Sequence, residues 1–172
     1  SPYEMYQFLV NAEDAKVIEY LKRLTFLDKE EIERLEECVK NEPHLREAQK
    51  VLGREVVTFL HGSDAYETAL KITNALFRGN IRELSADEQR DALSSMEKVQ
   101  VSEAMDLAST LVSAKIASSK REAREWIKSG SIQINGEKVQ DETRVIDASS
   151  ALVDDMILIK RGKRNYYVLT FA

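Results

Sequence analysis

The sequence predicts a mainly α N-terminal helical domain followed by a small α+β domain, two helices packed on a small, mostly antiparallel sheet. Three observations carry this. Apolar residues recur at helical spacing between successive capping signals as far as about residue 84, the period switches to alternation after Gly130, and Asn135-Gly136 separates two short alternating runs. The domains read as 1–84, a helical unit; 85–104, a linker with a short helix; and 105–172, the α+β unit.

Ser1-Pro2-Tyr3-Glu4 is a helix start, with Ser1 as N-cap, Pro at the first helical position and Glu placed to close a capping box. Asn11 is expected to cap a second helix with Asp14 at its third position and Val17, Ile18, Leu21 and Leu24 on its inner face. Asp28 with Glu31 starts a third, whose apolar face is Ile32, Leu35 and Val39. Pro43 should open a long helix with an apolar stripe of Leu45, Ala48, Leu52, Val56, Phe59 and Leu60, stopped at His61-Gly62. Ser63 caps the next helix, which runs past Ala69, Ile72, Ala75 and Leu76 to Gly79. Ser85 and Glu88 form another capping box, followed by a loose connection at Leu93-Ser94-Ser95-Met96.

Asp106 to Ser113 reads as helix, and Ser119-Lys120-Arg121-Glu122 as a capping box for a helix ending at Gly130 with Ala123, Trp126 and Ile127 inward. Ile132 to Val139 is a hairpin, because both central residues of a type I′ turn need positive φ and Asn-Gly supplies them. Met156–Ile159 and Tyr166–Phe171 add two strands around a basic turn.

Composition narrows the function classes. No apolar run approaches the roughly 18–20 residues of a membrane span. One cysteine, Cys38, excludes an internal disulfide and offers no second sulfur to a zinc site, so the chain reads as reduced and cytoplasmic. It starts without an initiator Met, which leaves a signal peptide unjudged and fits a piece of a longer protein. His44 and His61 stand alone and read as structural or exposed, and Cys38 as a small buried hydrophobe. Adjacent acids such as Asp154-Asp155 diverge rather than pair, and glycine-rich phosphate loops and nucleophile elbows are missing. The stretch carries no catalytic site or cofactor site of its own.

Charge is distributed unevenly. Residues 1–104 hold 14 Lys and Arg against 21 Asp and Glu, whereas residues 105–172 hold 11 against 9. Lys120, Arg121, Arg124 and Lys128 share one short helix, with Arg121, Arg124 and Lys128 at i, i+3 and i+7 on one face. Lys160, Arg161, Lys163 and Arg164 occupy the basic turn, ahead of Tyr166-Tyr167, of which only one faces the core; the other stacks on a base or covers the sheet. The bland alternative for each cluster is a solvated face. Two clusters in one small domain favour structured RNA or DNA over a protein partner.

Ala117-Ser118-Ser119-Lys120-Arg121-Glu122-Ala123-Arg124, then Ile127, Gly130, Ile132, Ile134-Asn135-Gly136 and Val139, closely resembles the RNA-binding domain named after the S-four protein of the small ribosomal subunit. That domain is widespread. The N-terminal part narrows it: Ser1-Pro2-Tyr3-Glu4-Met5-Tyr6-Gln7-Phe8, Asn11, Thr25-Phe26-Leu27, Ala48-Gln49-Lys50, Leu60-His61-Gly62 and Ala75-Leu76-Phe77 resemble the helical anticodon-binding region of bacterial tyrosyl-tRNA synthetases. Leu9 stands where many relatives have Trp and Lys160 where some have Arg. The resemblance implies the tRNA-binding C-terminal half of a class I ligase, with ATP and Mg²⁺ used in a catalytic domain that this chain lacks. It further implies that tyrosine tRNA is the partner, met at the anticodon stem and long variable arm, without DNA or membrane. It implies a homodimeric whole protein and a fragment that is monomeric once the dimer interface is missing, with Glu13 or Asp14 as acceptors for anticodon base edges. Two other readings compete: a ribosome- or rRNA-associated factor carrying the same small domain, and a protein-interaction scaffold built on the acidic helices.

Overall fold

The computed structural model describes residues 1–172 and divides them into two compact units, Ser1–Lys71 and Ile72–Ala172. The first is helical: α1 (Pro2–Val10), α2 (Asp14–Leu24), α3 (Lys29–Asn41), α4 (Glu47–His61) and the start of α5 (Ser63–Arg78). Ser1 caps α1 in a complete capping box with Glu4, and Asp28 caps α3 by accepting from the Glu31 amide, both as the sequence suggests. The cap expected at Asn11 is displaced. Glu13 occupies the N-cap of α2 without a side-chain bond, while the Asn11 side chain turns back to donate to the Gln7 carbonyl. The helix expected from Pro43 also begins late. Pro43–Leu45 forms a 3-10 turn, Arg46 takes φ of 56°, and α4 starts only at Glu47. Arg46 is held there because its guanidinium donates to the carbonyls of Val10 and Ala12 and reaches Asp14.

Helix α4 is the spine of this unit. Leu52 and Val57 on it are fully buried with Val17, Leu21 and Leu35 from α2 and α3. Each buried side chain of this size contributes about 1.5–3 kcal/mol, which outweighs a solvent-facing pair such as Arg23–Glu19, where about 0–1 kcal/mol is usual. Gly53 lets α1 come close. A methyl group there would stand 2.8 Å from the Tyr6 ring and 3.2 Å from Val10. The stripe read from the sequence does not stay buried to its end: Phe59 and Leu60 are exposed. Cys38 is only half-buried, because it sits on the open side of α3 with Arg34 above its sulfur.

The second unit contains α6 (Ala86–Ser94), α7 (Leu107–Ser113), α8 (Lys120–Lys128) and the strands β1 (Lys98–Val101), β2 (Met105–Asp106), β3 (Ile132–Ile134), β4 (Glu137–Lys138), β5 (Val145–Ile146), β6 (Met156–Arg161) and β7 (Asn165–Phe171). Five strands form one sheet in the order β1-β7-β6-β3-β4, antiparallel except for the β1–β7 pair, and β2 with β5 forms a two-stranded ribbon. The sheet packs through Ile132, Ile134, Ile157, Ile159 and Leu169 against Leu107, Leu111, Ala123 and Ile127 of α7 and α8. Two helices on a mostly antiparallel sheet is the arrangement expected. The stretch 85–104 is more structured than a linker with one short helix: it holds α6, with the Ser85–Glu88 capping box, and also β1, whose residues pair with Val168–Phe171.

The Asn-Gly hairpin forms, with φ of 50° and 83° at Asn135 and Gly136, but its turn is not a free tip. Asn135 is buried, donating to the Ser150 carbonyl and accepting from the Leu158 amide, while its own carbonyl accepts from Arg82. Gly136 lies against Gly79, where a Cβ would come within 2.6 Å of the Gly79 carbonyl oxygen.

Candidate nucleic-acid interface

Ser119 starts α8 by accepting from the Glu122 amide. The reciprocal half of the expected box is not made. The Glu122 carboxylate instead accepts from the amide and hydroxyl of Ser118, both at 2.7 Å, and these bonds, reinforced by the nearby charge of Arg161, hold it below the usual carboxylate range. The apolar face of the helix buries Ala123 and Ile127, leaving Lys120, Arg121, Arg124 and Lys128 exposed to solvent. Arg121 is 90% exposed with a loose pairing to Glu125 at 3.3 Å; Arg124 lies 3.5 Å from Glu142.

The second basic cluster reaches the first through one contact. Arg161, the last residue of β6, places its guanidinium 4.7 Å from the centre of the Trp126 ring on α8. Cation and ring attract, and the long stem covers the indole. The turn that follows has Gly162 at φ of 62° and carries Lys163 and Arg164 into solvent. Seven of the eight cations singled out in the sequence thus remain at the surface, on α8 and on the β6–β7 turn, with Arg161 half-buried between them.

Lys160 departs from that expectation. It is buried at 8% exposure, its ammonium lying 3.4 Å from the carbonyls of Leu76 and Phe77 and 5.3 Å from the Tyr166 ring. Strand alternation explains the difference. Ile157 and Ile159 point to the core helices, so Lys160 faces the opposite side, where the last carbonyls of α5 present the negative end of the helix dipole. Tyr166 faces that side too and donates to the Leu76 carbonyl, whereas Tyr167 packs against the core. Tyr166 therefore covers the sheet. The structural use of Lys160 and the Arg161–Trp126 stacking were hidden in the sequence, because both depend on which face of β6 meets which helix.

In the helical unit, Asp14 and Glu13 separate in role. One Asp14 oxygen accepts from Gln49 at 2.7 Å and from Arg46 at 3.2 Å. Glu13 is exposed, lies 3.2 Å from Lys16, and lines a shallow groove with Phe8, Asn11 and Tyr20.

A positively charged helix face joined to a basic β-turn is a surface suited to phosphate, and comparison with known proteins places it in a class. Residues 1–78 match the family described as tRNA synthetases class I (W and Y). Residues 88–169 match the Tyrosine--tRNA ligase SYY-like C-terminal domain. The tyrosine–tRNA ligase of Staphylococcus carnosus is 45% identical over 172 residues, covering 99% of this chain and 41% of that protein. The corresponding enzyme of Macrococcus caseolyticus is 46% identical over 169 residues, covering 98% of this chain and 40% of its own length. A solution structure of a tyrosyl-tRNA synthetase C-terminal domain shares 38% identity, covers 57% of this chain and all of its own, and superposes with a TM-score of 0.44. The chain belongs to the tyrosyl-tRNA synthetase family and corresponds to its C-terminal part. It spans about two fifths of the length of these curated relatives. No helix in it is long and apolar enough to cross a membrane.

Proposed function

We propose that this chain is the tRNA-binding half of a cytoplasmic tyrosine–tRNA ligase, gripping tyrosine tRNA along the anticodon stem and long variable arm. The catalytic part would then attach tyrosine using ATP and Mg²⁺ bound there. The observation that supports this best is the seating of Arg161 on Trp126, which joins the basic turn to the cationic face of α8. Lys120, Arg121, Arg124, Lys128, Arg161, Lys163 and Arg164 meet the phosphates in this reading. Lys160 supports the turn from beneath. Arginine suits the role because its guanidinium forks onto two phosphate oxygens, and Arg121 is tied down by no more than a solvent-facing pair. Glu13, beside Phe8 and Tyr20, is the acceptor offered to an anticodon base edge, with Asp14 held behind it. The whole protein is read as a homodimer and this half as a monomer, and DNA is not a partner.

The test is a titration of labelled tyrosine tRNA into the protein at several salt concentrations, with a tRNA lacking the long arm and the double variant Arg121→Ala/Lys163→Ala as controls. Removing one cation from a phosphate should lower the slope of log K against log salt by about 0.7–0.9, so the slope for the double variant falls by about 1.4–1.8. Equal affinity for every RNA, or a slope the double variant leaves unchanged, refutes the assignment. Retention on ribosomal subunits with no preference for tRNA would favour the rRNA-associated reading instead.

A further inference from the structure

The helical unit exposes an apolar face that its own helices leave uncovered. Phe26, after α2, is 85% exposed, and Phe59, near the end of α4, is 66% exposed; their rings meet each other at 5.3 Å, with Leu24 and Leu60 at 50% and 55% exposure. Between them opens a groove of about 440 Å³ whose lining includes Leu24, Phe26, Phe59 and Tyr66. Soluble chains rarely leave aromatic side chains grouped in this way without a partner. Phe59 and Leu60 moreover continue the stripe that is buried along the rest of α4.

Three observations say what covers it. The first is position. Helix α1 runs antiparallel to α4, Tyr6 lying on Gly53 and the Ala12 carbonyl reaching Gln49, so the Ser1 end of α1 points toward the end of α4 that carries Phe59 and Leu60. Tyr6 also packs edge-on against Tyr66, which lines the groove. The second is length: the relatives are more than twice as long as this chain, and the chain corresponds to their C-terminal part. The third is charge. Arg54 at the groove rim is paired with Glu55 at 3.0 Å, and Glu67 adds a further acid, a setting that repels phosphate and suits a protein surface.

We infer that the Phe26–Phe59 groove seats the part of the polypeptide that precedes Ser1 in the longer relatives. A segment tethered at the Ser1 end is presented to the groove at high effective concentration, so even a modest apolar interface is held closed. Such an interface belongs to the class formed between domains of one chain, where an apolar centre is ringed by polar residues. This inference rests on family membership and is independent of RNA binding.

Hydroxyl-radical footprinting of the full-length protein without RNA, set against this 172-residue chain, provides the test. Phe26 and Phe59 should react about tenfold more slowly in the full-length protein, with no dependence on protein concentration. In addition, the full-length double variant Phe26→Ser/Phe59→Ser should be cleaved about tenfold faster by a protease at the junction before Ser1, with its helical circular dichroism unchanged. Equal reactivity of the two rings in both proteins overturns the inference. So does protection that appears only on adding tRNA, which would make the groove a nucleic-acid site, or protection that disappears on dilution, which would make the occupant a second copy. An unchanged cleavage rate in the double variant overturns it as well.

Discussion

Replacing Gly136 by Ala should destabilise the α+β unit far more than the same change at Gly162, although both glycines have positive φ. Gly136 has φ of 83° and Gly162 has φ of 62°, so an alanine at either position costs about 1–2 kcal/mol for a left-handed backbone. The surroundings then divide them. A Cβ on Gly162 meets nothing within 4 Å, whereas one on Gly136 would lie 2.6 Å from the Gly79 carbonyl oxygen and 3.0 Å from Ile81. The first obstacle is backbone. It cannot swing aside like a side-chain tip, and the segment behind it is tied to the turn by the Arg82–Asn135 bond. Forcing a methyl group into packed surroundings costs about 1–3 kcal/mol. The totals are about 2–5 kcal/mol for Gly136→Ala and about 1–2 kcal/mol for Gly162→Ala. Urea unfolding read by the fluorescence of Trp126, the single tryptophan, measures both. Coincident unfolding midpoints for the two variants would refute the close approach of the turn to Gly79.

Two further outcomes are expected. Lys160→Met should cost about 0.3–2 kcal/mol of stability by removing the cation at the end of α5, while leaving the salt slope of tRNA binding unchanged; a slope reduced as much as by Lys163→Met would put Lys160 back on the RNA surface. The Tyr6 hydroxyl is pushed up to about 12, mainly by burial, against about 10 for an unfolded tyrosine. A raised folded value means that its contribution is complete below about pH 10 and lost as the pH climbs to about 12. Wild type should therefore lose stability more steeply than Tyr6→Phe across that window, and parallel alkaline limbs in a pH series of urea midpoints would contradict the buried hydroxyl.

What the sequence discloses is local. The Ser1–Glu4 and Ser85–Glu88 boxes, the Asp28 cap and the Asn135-Gly136 turn each depend on residues a few positions apart, and each forms. Where a distant partner competes, local reading fails. Arg46 is drawn to the Val10 and Ala12 carbonyls and postpones α4, and β1 goes unseen because its partner lies at the far end of the chain. The cations show the same division. Spacing is enough to put Lys120, Arg121, Arg124 and Lys128 outside a helix whose other face is apolar. For Lys160 the deciding fact is a helix end brought in from residues 76 and 77, which no neighbouring residue signals.

The parallel pairing of β1 with β7 makes closure of the sheet wait for the synthesis of about 70 further residues. Lys98 must wait for Val168 and Val101 for Phe171, and a ribosome adding about 5–20 residues per second makes the two ends of that ladder roughly 4–14 s apart. Throughout that interval β1 has no edge to join, and β6, made only about ten residues ahead of β7, lacks one of its two neighbours until β7 follows. The nascent chain must therefore carry β1 unpaired until β7 clears the exit tunnel. Until then the edges of β1 and β6 that β7 will cover are open to pairing with another chain.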